Sequence, residues 1–231
     1  MALSISLLVS TAAAFLFDLD GTLADTLPDL AASTNFVRAQ HGLPAVDHTA
    51  VRTFIGDGAR KLLERALREL VADDRPLPAE LLDHAFALYI EHHASQCTVH
   101  SRLFDGAHDY LTELRRRGHG IAIVTNKPER FAVPVARFLG LDAFTDVIIG
   151  GDTLPTKKPD PAMLELALHR LGNAAHTATM IGDGLQDVRA GKAAGCRTIA
   201  CLYGYGDADR LRVEHADECW HEFGQPHDTD R

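Results

Sequence analysis

The chain has 231 residues, of which 46% are hydrophobic and 24% charged, and these proportions are typical of a soluble globular protein. The length suits one large domain, or one domain with a small insert. With 23 basic and 32 acidic residues the net charge is −9, which argues against a nucleic-acid or anionic-membrane binder. The 4 cysteines are too few and too scattered for a disulfide framework or a paired-CxxC zinc site, so we expect a reducing, cytoplasmic setting.

The N-terminus leaves export open as an alternative. Residues 1–17 carry no charged side chain, and Ala12-Ala13-Ala14 has the pattern of a secretory cleavage site. No Lys or Arg precedes Arg38, however, so a signal peptide would lack its positive region. The apolar run is also broken by serines and a threonine, and it is shorter than a membrane span. We therefore expect a short extension that leads into a buried strand.

The first half of the chain is predicted to contain one strand followed by helices. The apolar run at residues 12–17 predicts a buried parallel strand. From residue 28 to about residue 97 the pattern is helical, with an amphipathic helix over residues 59–70 and another that begins near Pro78. This stretch contains no convincing strand pattern.

After about residue 100, predicted helices and strands alternate, which indicates βαβ units and a parallel sheet. The predicted helices cover residues 107–117, 131–139, 162–171 and 186–194, and the predicted strands cover residues 121–124, 146–149, 177–181 and 197–202. A glycine follows each helix, as a left-handed C-cap requires. Residues 224–231 are polar and are expected to fray.

These elements predict an α/β fold, a Rossmann-like doubly wound parallel sheet with a small helical cap domain inserted after the first strand. The core domain would comprise residues 1–25 and 98–231, and the cap domain residues 26–97. In such sheets the active site lies beyond the carboxyl ends of the strands.

Polar side chains collect at those predicted strand ends. They are Asp18 and Asp20 after the first strand, Thr125 after the second, Lys158 before a later helix, and Asp183 and Asp187 after a fourth strand. Each segment alone could be a turn or a helix cap, but their occurrence at successive strand ends favours one shared site. Four crowded carboxylates require protonation or a cation, and oxygen ligands favour a hard cation such as Mg²⁺. A metal ion with a lysine and a hydroxyl group suits a phosphate dianion.

Four segments resemble the motifs of the haloacid dehalogenase-like superfamily. They are residues 18–25 (DLDGTLAD), Thr125-Asn126, Lys158-Pro159 and residues 182–187 (GDGLQD). The resemblance extends over about residues 12–224, and the position of the helical insert matches the small cap of that superfamily. One departure is Gly184, which stands where Ser or Thr is frequent and leaves the metal affinity open.

The resemblance implies a residue-by-residue mechanism. Asp18 would attack phosphorus and become an aspartyl-phosphate, and Asp20 would act first as general acid and then as general base. Thr125 and Lys158 would bind phosphoryl oxygens. Mg²⁺ would be held by Asp18, the Asp20 carbonyl, Asp183 and Asp187. Because dehalogenases of the superfamily lack the equivalent of Asp20, its presence points to phosphate esters, handled by a hydrolase or a mutase.

Finer features resemble bacterial phosphoglycolate phosphatases. These are residues 55–59 (IGDGA), 64–67 (ERAL), 125–128 (TNKP) and 203–206 (YGYG). The resemblance implies that the cap acts as a lid with hinges near residues 25–27 and 98–103. It also implies 2-phosphoglycolate as the small phosphorylated metabolite, and substrate contacts at Leu19, Gly56, Gly58, Arg65 and Asn126.

Several alternatives stay open at this stage. Gly56 and Gly58 could merely shape a turn, and Arg60, Lys61 and Arg65 could be a solvated helix face. Sugar phosphates, amino-sugar phosphates or pyrophosphate could be substrates, and a β-phosphoglucomutase-like mutase or a silent binding protein could use the same scaffold. We expect no nucleic-acid or membrane partner, and either a monomer or a homodimer.

Two other groups of residues are given structural interpretations. His92, His93, Cys97 and His100 could suggest zinc, but we expect a solvent-facing polar stretch at the end of a cap helix. Cys196 and Cys201 flank a predicted strand and are expected to be buried thiols. The sequence has neither a G-x-S-x-G elbow nor a Walker-type loop, which argues against a serine hydrolase and a P-loop enzyme.

Overall fold

The computed structural model describes residues 13–72 and 75–226. The predictions for residues 1–12 and 227–231 therefore lie outside the described residues. The strands in chain order are β1 (Ala14–Phe17), β2 (Ala24–Asp25), β3 (Arg102–Leu103), β4 (Gly120–Val124), β5 (Val147–Ile149), β6 (Ala178–Gly182), β7 (Arg197–Cys201), β8 (Glu218–Glu222) and β9 (Gln225–Pro226). The helices are α1 (Leu27–Gln40), α2 (His48–Arg52), α3 (Ala59–Ala66), α4 (Ala79–Gln96), α5 (Ala107–Arg116), α6 (Glu129–Phe138), α7 (Ala162–Leu171), α8 (Leu185–Ala194) and α9 (Ala208–Val213).

The main sheet has the strand order β5-β4-β1-β6-β7-β8-β9. Six neighbouring strands run parallel, and β9 runs antiparallel to β8. Successive residues of β1 face opposite sides of the sheet, as the pleat requires. Leu16 belongs to the apolar cluster that contains Leu164 of α7, whereas Phe17 belongs to the cluster that contains Leu111 of α5. Helices cover both faces, and the predicted α/β fold class is confirmed.

Helices α1–α4 lie between β2 and β3 and are called the helical insert below. β2 and β3 pair antiparallel, with Ala24 opposite Leu103 and Asp25 opposite Arg102, so the chain leaves and re-enters the core at neighbouring points. Within the described parts of the chain, no helix is long and apolar enough to cross a membrane.

The structure differs from the predicted elements at the end of α3, at several short elements and at the C-terminus. The amphipathic helix α3 ends at Ala66 rather than near residue 70, and a 3₁₀ turn follows at Arg68–Leu70. The buried guanidinium of Arg38 donates to the Ala66 carbonyl and gives that last turn of α3 a partner outside the helix. Helix α9 and strands β2, β3, β8 and β9 were not predicted. Fraying from residue 224 is wrong for Gln225 and Pro226, which pair with β8.

Candidate active site

Three adjacent parallel strands deliver the predicted residues to one edge of the sheet. Asp18 follows β1, Thr125 follows β4 and Asp183 follows β6, and the register aligns these strand ends. The backbone N–H of Asp18 donates to the Ile181 carbonyl at 2.9 Å, which fixes the start of this turn against β6. The prediction of a shared site at the strand ends follows from this parallel topology.

Asp18, Asp183 and Asp187 form a buried carboxylate triad, with one oxygen of each within 4.8 Å of the others. The Lys158 ammonium group lies 3.1 Å from Asp18 Oδ1 and 2.6 Å from Asp187 Oδ1, and it donates to the Val124 carbonyl at 2.6 Å. Burial lowers the pKa of Lys158, but Asp18 and Asp187 outweigh burial and raise it overall. Lys158 is therefore a permanent cation inside the triad.

Two carboxyl groups of the triad have raised pKa values. Burial, followed by repulsion from Asp18 and Asp187, raises the pKa of Asp183 to about 8. Burial also raises the pKa of Asp187 to about 6, although the attraction of Lys158 opposes that change. Without a further cation, Asp183 thus favours its protonated form at neutral pH, whereas Asp187 does so only below about pH 6.

The triad fits a divalent metal ion. Asp18 Oδ1 and Asp187 Oδ1 contact Lys158 as ion pairs, but neither oxygen accepts a well-aligned hydrogen bond from the described residues. Asp183 is held in place by the Thr22 hydroxyl at 2.9 Å and the Tyr205 N–H at 2.6 Å. Carboxylate oxygens with free lone pairs, in a site with excess negative charge, are the ligands that a hard cation prefers.

The Asp20 carboxylate is held apart from the triad. Its Oδ1 accepts a hydrogen bond from the Thr26 hydroxyl at 2.6 Å, and Lys127 Nζ lies 3.0 Å from Oδ1 and 3.2 Å from Oδ2. The Lys127 side chain is only 4% exposed. Lys127 lies within the motif at residues 125–128, but a motif does not reveal which way a side chain points, so no role was predicted for it.

Thr125 and Asn126 occupy the turn after β4. Thr125 is buried, and its hydroxyl accepts from the Lys127 N–H at 3.2 Å. Asn126 Nδ2 donates to the carbonyls of Gly56 and Lys158, both at 3.0 Å, and so ties the helical insert to the core.

The other predicted substrate contacts are distributed differently. The Leu19 side chain is fully buried in the core, so only its backbone remains available to a substrate. Gly56 (φ 120°) and Gly58 (φ 88°) shape the turn before α3, where positive φ favours glycine. Arg65 forms an ion pair with Asp57 and donates to the Phe54 carbonyl at 2.9 Å.

A cavity of about 920 Å³ lies between the helical insert and the sheet edge. The predicted residues that line it are Asp18, Asp20, Thr125, Asn126 and Asp183 from the core, and Gly56, Gly58 and Arg65 from the insert. Lys158 and Asp187 are buried beside these lining residues. Gly184 also lines the cavity and begins α8, where its N–H donates to Asp187 Oδ2 at 2.9 Å.

The interpretation of the histidine-rich end of α4 as solvent-facing is wrong for His93 and Cys97. Both are buried, because residues four apart share one helix face and this face packs inward. His93 Nδ1 lies 2.8 Å from the Ser33 hydroxyl of α1. Burial, and then the charges of Lys127 and His92, lower the pKa of His93 to about 2. Cys196 and Cys201 are buried free thiols, as predicted.

Comparison with known proteins gives consistent matches. The sequence profile of haloacid dehalogenase-like hydrolases matches residues 12–195. The chain is 39% identical over 200 residues to the phosphoglycolate phosphatase of Chromobacterium violaceum, covering 86% of this chain and 88% of that protein. It is 42% identical over 199 residues to phosphoglycolate phosphatase 1 of Pseudomonas aeruginosa, covering 86% of this chain and 72% of that protein. A crystal structure of a predicted phosphoglycolate phosphatase from Haemophilus somnus superposes with a TM-score of 0.84 at 28% identity, covering 93% and 96%.

Proposed function

This chain belongs to the haloacid dehalogenase-like hydrolases, and from that membership we propose that it hydrolyses 2-phosphoglycolate to glycolate and phosphate with Mg²⁺ as cofactor. Like its curated relatives, it is a phosphomonoester hydrolase. The observation that carries the proposal is the buried triad of Asp18, Asp183 and Asp187 around Lys158, with Asp20 held separately beside it.

Asp18 attacks phosphorus in this proposal and forms an aspartyl-phosphate, while Asp20 gives a proton to the departing alcohol oxygen. Asp20 then takes a proton from the water that hydrolyses the intermediate. Lys158 forms an ion pair with Asp18 and, with Thr125, binds phosphoryl oxygens. Asp18, Asp183, Asp187 and the Asp20 carbonyl would hold Mg²⁺, which supplies positive charge that offsets the charge of the phosphoryl group.

The helical insert (residues 26–97 in the domain division proposed here) acts as the lid, and the β2–β3 ribbon is its attachment. Contacts across the cavity support this role: Asn126 Nδ2 reaches the Gly56 carbonyl, and Arg52 Nε reaches the Tyr205 carbonyl at 2.9 Å. Gly56, Gly58 and Arg65 are the insert's proposed contributions to substrate binding, and the Leu19 backbone and Asn126 are those of the core. We propose a cytoplasmic location, because the four cysteines form no disulfide bond, which suits a reducing compartment.

The test is phosphate release with Mg²⁺ from a panel of 2-phosphoglycolate, pyrophosphate, hexose phosphates, amino-sugar phosphates and p-nitrophenyl phosphate. We expect the highest kcat/KM with 2-phosphoglycolate, and no turnover by Asp18→Asn. A preference for another panel member would leave the mechanism standing and remove the proposed substrate. No Mg²⁺-dependent release would favour a silent binding protein.

The role of Asp20 has its own test. Asp20→Asn should slow 2-phosphoglycolate hydrolysis about 10²- to 10⁴-fold, the usual contribution of a general acid. It should slow p-nitrophenyl phosphate less, because p-nitrophenolate departs without a proton. The comparison uses kcat/KM, which reports the steps up to departure of the leaving group and not hydrolysis of the shared intermediate. Equal losses of kcat/KM on both substrates would contradict an acid role for Asp20 in cleavage of the ester.

A further inference from the structure

Lys127 is a buried cation lining the cavity that the proposed chemistry does not use. The other cationic side chains among the described lining residues are half-buried or exposed, and they are Arg52, Arg65, Arg189 and Arg210. Arg65 is paired with Asp57, and Arg189 with Glu214. A charge removed from water attracts a ligand more strongly than an exposed one does.

The position of Lys127 is fixed by its backbone. Its N–H donates to the Thr125 hydroxyl at 3.2 Å, and its carbonyl accepts from the Gly151 N–H at 2.8 Å. An ammonium group has three N–H donors. Among the described residues, Asp20 is the carboxylate that pairs with the ammonium group of Lys127. Lys127 therefore keeps donor capacity for a second acceptor in the cavity.

The distance from Asp20 indicates which part of the substrate Lys127 would meet. A general acid must lie about 2.6–3.2 Å from the oxygen that it protonates. In 2-phosphoglycolate that ester oxygen is joined to the carboxylate through one CH₂ group, so the carboxylate oxygens lie about 2.6–3.6 Å from it. Since Lys127 Nζ is 3.0 Å from Asp20 Oδ1, a substrate seated on Asp20 can place its carboxylate within reach of Nζ.

We propose that Lys127 binds the carboxylate of the leaving group and thereby selects phosphate esters with an acid next to the ester carbon. This inference rests on the proposed function, since it assigns the specificity of the same site. Leu30, Tyr89 and Phe131 line the same cavity and limit the water that would compete for the ion pair.

The experiment compares kcat/KM for 2-phosphoglycolate and 2-hydroxyethyl phosphate, two esters of similar size that differ in one carboxylate. The variants are Lys127→Met, Lys127→Arg and the control Lys61→Met, which removes an exposed charge paired with Glu64. The wild type should prefer 2-phosphoglycolate. Lys127→Met should reduce that preference about 10- to 100-fold, the range expected for a hydrogen bond to a charged group. Lys127→Arg should recover part of the preference, and Lys61→Met should retain it.

Inhibition by the products gives a second readout. In Lys127→Met the inhibition constant of glycolate should rise, while that of inorganic phosphate should change little. If Lys127 had a purely structural role, Lys127→Met would weaken the binding of both products and lower kcat/KM for both esters by similar factors. That result would overturn the inference. A wild type that prefers 2-phosphoglycolate together with a Lys127→Met variant that keeps the preference would overturn the inference alone. A wild type with no preference would overturn the proposed substrate and the inference with it.

Discussion

Asp183 illustrates how closely single residues are constrained in this site. A Cβ atom added to Gly204 would overlap the Asp183 side chain and the Gly21 carbonyl, and one added to Gly206 would overlap the Asp183 carbonyl. Backbone of neighbouring loops thus packs directly against the carboxylate, with no space for a side chain. The orientation of Asp183 depends on these glycines as much as on its hydrogen bonds.

Gly204→Ala should therefore displace Asp183 and lower kcat at least 10-fold, and overpacking should cost about 1–3 kcal/mol of unfolding free energy. Gly120→Ala is the control, because Gly120 lies at the start of β4, remote from the site. A Cβ added there would lie 3.3 Å from the Asn173 side chain. Steady-state kinetics and urea denaturation measure both effects. Full activity in Gly204→Ala would show that Asp183 tolerates movement.

His93 should make the protein less stable in acid. Its folded pKa of about 2 lies below the ordinary histidine pKa of 6.5, so below pH 6.5 the unfolded chain binds a proton that the folded chain excludes. The contribution of His93 to the unfolding free energy therefore falls by up to about 1.4 kcal/mol per pH unit as the pH drops from 6.5 towards 2. When the pH is lowered from 7 to 5, the unfolding free energy of the wild type should fall by about 2 kcal/mol more than that of His93→Gln. Urea denaturation at pH 7 and pH 5 measures these changes. An equal fall in unfolding free energy for the wild type and His93→Gln would contradict a buried neutral His93.

At the scale of elements, the loop after β7 joins three parts of the molecule. The Tyr205 hydroxyl accepts from the N–H groups of Thr26 and Leu27 at 2.7 and 2.9 Å and donates to Asp25 Oδ1 at 2.9 Å. The Tyr205 N–H binds Asp183, and the Tyr205 carbonyl binds Arg52 of the helical insert. The loop is therefore well placed to keep the start of α1 in register with the carboxylate triad.

Tyr205→Phe should leave the Thr26 N–H group without its acceptor and the Leu27 N–H group with only its longer contact to Asp25 Oδ1 at 3.3 Å, and it should cost about 1–3 kcal/mol. The insert should open more often, which would raise KM and speed limited proteolysis near residues 25–27. Tyr203→Phe is the matched control, because its hydroxyl donates to the Thr22 carbonyl at 3.0 Å and does not touch the start of α1. Identical proteolysis of the two variants would argue against this role of the loop.

Sequence reasoning succeeded where local pattern and tertiary position agree. The bounds of α7 were predicted correctly because its apolar period ends at Gly172, which has φ 69°. The triad was predicted because strand ends can be located from short apolar runs. β8 was missed because Glu218 and Glu222 obscure its apolar centre, and the burial of His93 was missed because it depends on Ser33 of a different helix. Lys127 was missed for the same reason, since Asp20 is its partner only in the folded chain.

At the scale of the whole molecule, metal and proton binding should be linked. Below about pH 8 Asp183 favours its protonated form, so a metal ion that enters the triad must displace that proton. Calorimetric titration of chelator-treated protein with Mg²⁺ at pH 7, in buffers of different ionisation enthalpy, should show release of up to about one proton. Mg²⁺ should also raise the unfolding free energy by about 2.7 kcal/mol at 100 times its Kd. Asp183→Asn should abolish both effects, and proton uptake on binding would contradict the account.

The pairing of Ala24 with Leu103 has a consequence for how such a protein can change. Because the two crossings into the helical insert are adjacent, the insert can grow, shrink or be exchanged for another without shifting any strand of the main sheet. Most of the reacting groups would pass unaltered to the recombined protein. Lys127 would pass with them, because it follows β4 and not the insert. If Lys127 selects acids as proposed, a protein with a new insert would keep that selectivity, and evolution towards a neutral substrate would have to begin in the core.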